Sequence, residues 1–379
     1  MKFFRRSKAL AVKETRELFR DPTYLGLSFF IPILLLQLFG YGLSLDVKNL
    51  PIVFVDTNNS AISREYIDGF VHSEYFDLIG ITRNAEKARE LMQRGTARVV
   101  VELPTNFSRN IVSGKNVAIA VIVDGSFPTR AGIIQSYISA INAKNNLELI
   151  QKMAEQYGLD ADALMPIEMR LSVWYNPALE SINMIIPGIL VLILMLFPAI
   201  LGALLIVREK EDGTIFNLYS SPIRRWEIVL GKAAPYVVVS FIDYLIIYAA
   251  SILQFDVRFV GSFWVISSAA FLYCICTIGM GLLFSIITQT QLAAMLLTFL
   301  LTVTPAFSYS GFTTPVASMD SLGQFIAHLI PATYFMDIVR GSYLKGLGFE
   351  YYASDLASLA IYTVAIYTLC IALLKKRIG

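Results

Sequence analysis

Few side chains in this sequence are placed for covalent or acid–base chemistry. The two histidines, His72 and His328, lie in regions of different character, so neither suggests a Ser-His-Asp set. Cys274-x-Cys276 has the spacing of a metal pair. Both thiols sit without partners in an apolar run, which is the setting of packing residues. No G-x-x-x-x-G-K-[ST] loop occurs: Gly114-Lys115 and Gly231-Lys232 lack the upstream glycine and the following Ser or Thr. ATP hydrolysis by that route is excluded. Asp243 is the one acid deep in an apolar run. At the centre of a membrane helix it costs about 2.5–3.5 kcal/mol, so it must face protein or water. It is either a proton or cationic-substrate site or a buried contact with Ser240, Tyr244, Tyr248 or a neighbouring helix. Gln37 and Asn183 pose the same question more weakly.

The apolar runs around these residues define the architecture. The 379 residues are 56% hydrophobic and 16% charged, with mean hydropathy +0.60, against about 45–50% and about 25% for soluble domains. Uncharged stretches of some 20 residues can cross a hydrocarbon core of about 30 Å. Spans are expected at 22–45, 181–207, 233–253, 263–286, 290–310 and 356–374, and Pro32 is expected to kink the first. The segment 311–345, broken by Gly, Pro, Ser and Thr, reads as re-entrant or interfacial on the outer side, with Asp337 and Arg340 spaced to pair.

Charge placement orients the spans. Residues 1–21 interleave Lys2, Arg5, Arg6, Lys8, Lys13, Arg16 and Arg20 with apolar residues, as in an amphipathic helix at the headgroups. The island 208–232 carries Arg208, Lys210, Arg224, Arg225 and Lys232, and Lys375-Lys376-Arg377 begins the tail 375–379. Short basic loops stay inside, so both ends and the island are expected in the cytoplasm.

Residues 46–180 differ in kind, with 13 Lys/Arg and 16 Asp/Glu spread evenly, the composition of a water-facing domain. Strands are expected at Pro51–Asp56, Phe76–Thr82, Ala97–Leu103 and Val117–Val123. Helices are expected at Ala61–Val71, Ala85–Arg94 and from Thr129 to about Tyr157, the last with Ile134, Ile138, Ile141, Ile150 and Met153 near one face. The fold class is thus a polytopic α-helical membrane protein of six transmembrane helices, with an α/β extracytoplasmic domain inserted between spans 1 and 2.

The island also has a recognisable pattern. Glu209-x-Glu211-x-Gly213-Thr214, Leu218-x-x-Ser221-Pro222 and Leu230-Gly231-Lys232 resemble the signature of type-2 ABC transporter permeases. Val12-Lys13-Glu14-Thr15-Arg16, Arg20-Asp21-Pro22, Phe39-Gly40-Tyr41-Gly42, Asp124-Gly125-Ser126, Tyr175-Asn176-Pro177 and Pro331-Ala332-Thr333-Tyr334-Phe335 extend the resemblance over nearly the whole chain. They match the subgroup with a large extracytoplasmic domain after the first span, typified by bacterial inner-membrane efflux permeases.

The resemblance implies an N-terminal interfacial connecting helix and a coupling helix in the island that docks on a cytoplasmic ABC ATPase dimer. It implies coupling roles for Glu209, Glu211, Gly213, Thr214, Leu218, Ser221 and Pro222. A second permease copy, identical or related, is implied. So is use of ATP and Mg by the partner, with no cofactor on this chain. A periplasmic adaptor and an outer-membrane channel are conceivable further partners. Membrane lipid surrounds the spans, and nucleic acid is not expected. Gln37, Asn183, Phe197, Asp243 and Phe299 are the candidates for the translocation path, whose aliphatic and aromatic character suits hydrophobic or amphipathic cargo. Two rival readings of the sequence stand beside this one. One is an ion-coupled secondary transporter using Asp243, and the other a membrane sensor or adaptor-docking protein.

Overall fold

The structure is a computed structural model describing residues 2–42, 49–126, 128–156, 174–176 and 180–374. It divides into two compact units, one of Met1–Ser44 with Val173–Gly379, the other of Leu45–Ser172. The expectations that rest on Asp46, Pro177 and the Lys375–Arg377 cluster lie outside the described residues.

Helix α1 (Lys2–Arg20) is amphipathic. Leu10, Glu14 and Leu18, spaced i, i+4, i+8, form its buried stripe, while Lys8, Val12, Arg16 and Phe19 are exposed. Asp21 then caps α2 (Pro22–Gly42) by accepting the Thr23 amide at 2.9 Å. Pro32 does not produce a bare kink. A π-helical turn at Gly26–Phe30 precedes it, with the Ile31 amide bonded back to Gly26, and this widened turn accommodates the proline's missing donor.

In the second unit, β1 (Leu50–Asp56), α3 (Ala61–Val71), β2 (Phe76–Thr82), α4 (Ala85–Gln93), β3 (Val99–Leu103), α5 (Phe107–Val112), β4 (Ala120–Val123) and α6 (Pro128–Gln156) follow in order. The sheet order is β2-β1-β3-β4, with β1 parallel to both neighbours and β4 antiparallel to β3. Alternation sets the two faces. Ile52, Phe54, Val99 and Val101 meet α3, α5 and α6, whereas Val53, Val55 and Val100 meet Ala88 of α4. Strand β4 is shorter than the expected Val117–Val123. Its partner β3 ends at Leu103, and Pro104 has no amide to extend the ladder. Ile134, Ile138 and Ile141 are buried as expected, but Ile150 is 42% exposed.

The first unit continues with α7 (Ile182–Glu211), α8 (Ile215–Ser220), α9 (Arg225–Leu253), α10 (Phe263–Ile287), α11 (Gln291–Tyr309), α12 (Ser321–His328), α13 (Pro331–Arg340) and α14 (Phe349–Leu373). Among the described residues, α2, α7, α9, α10, α11 and α14 are long and apolar enough to span a membrane, the six expected. Their ends differ from the sequence reading. Helix α7 runs on through Glu211, α9 begins at Arg225 and α14 begins at Phe349, so charged residues assigned to loops lie on helical turns.

Helix α7 is the core element, packing on α2, α9, α10, α11 and α13. It touches α10 through backbone. A Cβ on Gly281 would stand 1.8 Å from the Ala199 carbonyl oxygen, and one on Gly202 would stand 2.4 Å from that of Ile278. The segment after α11 bends by 89° between Ser321–His328 and Pro331–Lys345. Asp337 and Arg340 do not form the expected ion pair. The Arg340 guanidinium is turned to the Gly311 and Phe312 carbonyls, at 2.5 and 2.9 Å, and satisfies irregular backbone there.

Candidate functional site

The last turn of α7 carries four consecutive charges, and each grips a different part of the helical unit. Arg208 reaches Asp21 at 3.1 Å and lies over the Tyr24 ring at 5.2 Å, at the junction of α1 and α2. Burial opposes ionisation of Asp21. The Thr23 hydrogen bonds and the Arg208 charge outweigh it, holding this carboxyl below its ordinary range.

Glu209 is 7% exposed. Its Oε1 accepts from Lys232 Nζ at 2.7 Å and from Lys13 Nζ at 3.1 Å, and its Oε2 accepts from Thr214 Oγ1 at 3.3 Å. Lys232, 1% exposed, also donates to Glu14 Oε1 at 2.5 Å. The cluster therefore holds Glu14 and Glu209 against the buried Lys232 ammonium and the half-exposed Lys13, which also pairs with the exposed Glu17 at 3.4 Å. Burial pushes the Glu14 carboxyl up despite the Lys232 charge; Lys13, although burial lowers it, is raised by Glu209.

Lys210 and Glu211 complete the turn. The Lys210 ammonium donates to the carbonyls of Ser285, Ile286 and Thr288 at 3.0, 2.6 and 2.7 Å, closing the C-terminal end of α10. The Glu211 carboxylate accepts the Gln291 backbone amide at 2.8 Å and the Gln291 side chain at 2.5 Å, at the first residue of α11. Cation at a helix C-terminus and anion at an N-terminus is the pairing the helix dipole favours.

The intervening loop is short. Gly213 takes a left-handed φ of 70°, which glycine adopts without a Cβ penalty. Ile215 and Leu218 anchor α8, while Phe216 is 55% exposed. Ser221 Oγ donates to the Leu218 carbonyl at 2.7 Å, and the Pro222 carbonyl accepts from Arg6 at 2.8 Å. Glu227 closes the start of α9 by accepting the Arg224 amide at 2.6 Å.

A model of the ABC-2 family transporter proteins matches residues 23–373. The probable multidrug ABC transporter permease YbhS of Escherichia coli is 33% identical over 344 residues, 90% of this chain and 89% of the relative. The probable multidrug ABC transporter permease YbhR of the same organism is 26% identical over 375 residues, 99% and 100%. The inner membrane transport permease YhhJ, also of Escherichia coli, is 26% identical over 392 residues, 100% and 99%. The chain belongs to the ABC-2 transporter family. It is a multi-pass membrane permease, a transport component whose family associates with an ABC ATPase.

Within the permease, the seven loop candidates divide. Glu209 and Leu218 are buried, whereas Glu211, Gly213, Thr214 and Pro222 are exposed and Ser221 is half-buried. The five path candidates share no hydrogen bond with one another among the described residues. Gln37 exchanges amide hydrogen bonds with Gln254 at 2.8 and 2.6 Å. Asn183 donates to Asn176 Oδ1 at 3.1 Å. Phe197 is buried in the core, Phe299 is 46% exposed, and Asp243 is 2% exposed. Asp243 Oδ1 has no hydrogen-bond partner among the described residues, and neither does Ser240 Oγ one turn before it. Tyr244 turns instead to Ser267 Oγ at 3.1 Å. Glu14 and Lys232 escaped the site reading. The available signal was a charge on a buried stripe: Glu14 lies between Leu10 and Leu18, and Lys232 between Ile228 and Tyr236.

Proposed function

We propose that this permease is one half of a dimeric exporter in the bacterial inner membrane. A separate cytoplasmic ATPase dimer drives it, and it moves hydrophobic or amphipathic small molecules out of the cytoplasm or inner leaflet. The observation that carries the reading is the four-way grip of Arg208–Glu211. A push on the exposed face of the 212–224 loop, where Phe216 stands out, reaches the ends of α1, α2, α9, α10 and α11 through one rigid turn. A turn fixed to that many elements transmits displacement as a body motion rather than losing it in loop flexure.

In this reading Phe216, Asp212 and Asn217 meet the ATPase. Glu209, Glu211, Gly213, Thr214, Leu218, Ser221 and Pro222 hold the loop in shape behind them. The basic residues Arg224 and Arg225 put the loop and both termini in the cytoplasm, and the α/β unit outside. The cargo class rests on a cleft of about 130 Å³ between α2, α7 and α11, lined wholly by apolar residues including Leu35, Phe39, Leu192, Leu196, Val303 and Phe307. YbhS and YbhR carry multidrug in their names, which agrees with such a lining.

Reconstitution with the purified ATPase in proteoliposomes tests the proposal. ATP-dependent movement of a hydrophobic fluorescent dye is expected, with loss of both transport and stimulated ATP hydrolysis in Phe216→Asp. Transport confined to highly charged sugars, or transport that needs no ATP, would overturn it.

A further inference from the structure

The α/β unit contains a groove unrelated to the gripping turn. It has a volume of about 570 Å³, within the range of about 300–1,000 Å³ typical of small-molecule sites. It exists because β4 stops short: Val117 and Ile119 continue the inward-facing register of the strand without a ladder and pack only in part against the core, staying half-buried. Val121 beside them is 36% exposed, and Ile150 from α6 closes the far wall. The floor is thus an extension of the apolar core left open to solvent.

Most polar side chains on the groove are unspent among the described residues. Lys115 makes no ion pair or side-chain hydrogen bond among the described residues, and Asn116, Ser139 and Asn146 make no side-chain hydrogen bond. Among the described residues, Asn142 uses only its Oδ1, which accepts from Tyr66 at 3.0 Å, and its amide group makes no hydrogen bond. Lys115 is the one charged residue lining the groove, and no acid faces it among the described residues. An apolar floor with one cation and several amide donors at its margin selects an amphiphile with an anionic end. We propose that the groove binds a small amphipathic carboxylate, its apolar body over Val117, Ile119 and Val121 and its head at Lys115. This does not depend on how transport is energised.

The test uses the full-length permease in phosphatidylcholine nanodiscs and a diazirine-bearing long-chain carboxylate, with adducts mapped by mass spectrometry. Adducts are expected on the 111–121 and 138–150 segments. Ser139→Trp, at an exposed position, fills the groove and is expected to lower them about tenfold, the equivalent of about 1.4 kcal/mol. Lys115→Glu alters an exposed side chain without partners among the described residues and is expected to lower them several-fold while leaving labelling of the spans unchanged. Three results would overturn the proposal: labelling of spans with none in the groove, equal groove labelling by the corresponding neutral alcohol, or displacement of the carboxylate by phosphatidylglycerol.

Discussion

Lys232 and Asp243 are both buried on α9, about three helical turns apart and so on one side of it, yet their surroundings are opposite. Lys232 has two carboxylates within 2.7 Å. Asp243 has no counterion among the described residues, and one of its oxygens accepts nothing. Taking an ion out of water costs several kcal/mol unless partners compensate it. The first charge is therefore woven into the fold, while the fold builds nothing on the second. Burial alone does not mark a functional charge; the count of its partners separates a structural ion from a residue whose charge the fold does not use.

The contrast breaks most sharply at Lys232. Lys232→Met leaves Glu14 and Glu209 facing each other with only the half-exposed Lys13 nearby. Removing one partner of a buried ion pair costs about 3–5 kcal/mol. A large fall in the thermal midpoint and in yield from the membrane is expected, measured by fluorescence-detected unfolding in detergent. A triple change of Glu14, Glu209 and Lys232 to apolar residues of similar size is expected to recover much of that loss. If Lys232→Met were as stable as the parent, the cluster would not hold the helices together.

Glu211→Ala tests the same turn at its outer edge. It frees the Gln291 amide at the start of α11, where Thr290 Oγ1 still accepts the Ala293 amide at 3.3 Å. The expected cost is that of a lost helix cap, about 1 kcal/mol. Because Glu211 also fixes α11 to α7, ATP-driven transport is expected to fall further than this stability loss explains. Equal losses in both would reduce the residue to a cap.

How much of this was legible follows from what periodicity can see. Six apolar runs gave six helices, and the strand and helix phases of residues 50–103 were readable from alternation and periodicity, whereas the short helix Phe107–Val112 was not among the expected elements. Hydropathy ended α7 too early, because it scores Arg208–Glu211 as loop. Those residues are held on the helix by tertiary partners, at Lys13, Asp21, Lys232, Ser285 and Gln291, that lie far away in sequence. The shortening of β4 was legible in principle from Pro104, one residue past its partner strand. The exposure of Ile150 was not, since it depends on which part of α6 the sheet reaches.

Asp243→Asn sharpens the contrast from the other side. The change keeps shape and removes the charge, and it costs the Oδ1 position no hydrogen bond within the described residues. Stability is expected to be no lower than the parent's, because the change removes a buried carboxylate that has no counterion among the described residues. In proteoliposomes with the ATPase, ATP-dependent export is expected to persist. Export abolished in the variant, with a proton gradient able to replace ATP in the parent, would favour an ion-coupled transporter over an ATP-driven one.

The smallest expected effect concerns pH and Glu14. Burial raises its carboxyl above the ordinary value of 4.5, so the folded protein holds that proton more tightly than the unfolded chain does. The sign follows from linkage: the stabilisation this group contributes is fully present below the ordinary value and is lost as pH rises through the raised one. Glu14→Gln keeps a hydrogen-bond acceptor for Lys232 but cannot titrate. The variant is therefore expected to show a flatter thermal midpoint between about pH 4.5 and neutrality, with the parent losing more stability over that interval. A parent curve that rises instead, and falls flat in Glu14→Gln, would mean that Lys232 holds Glu14 ionised below its ordinary range. The cluster would then be a tightly bonded ion pair with Glu14 as a full partner.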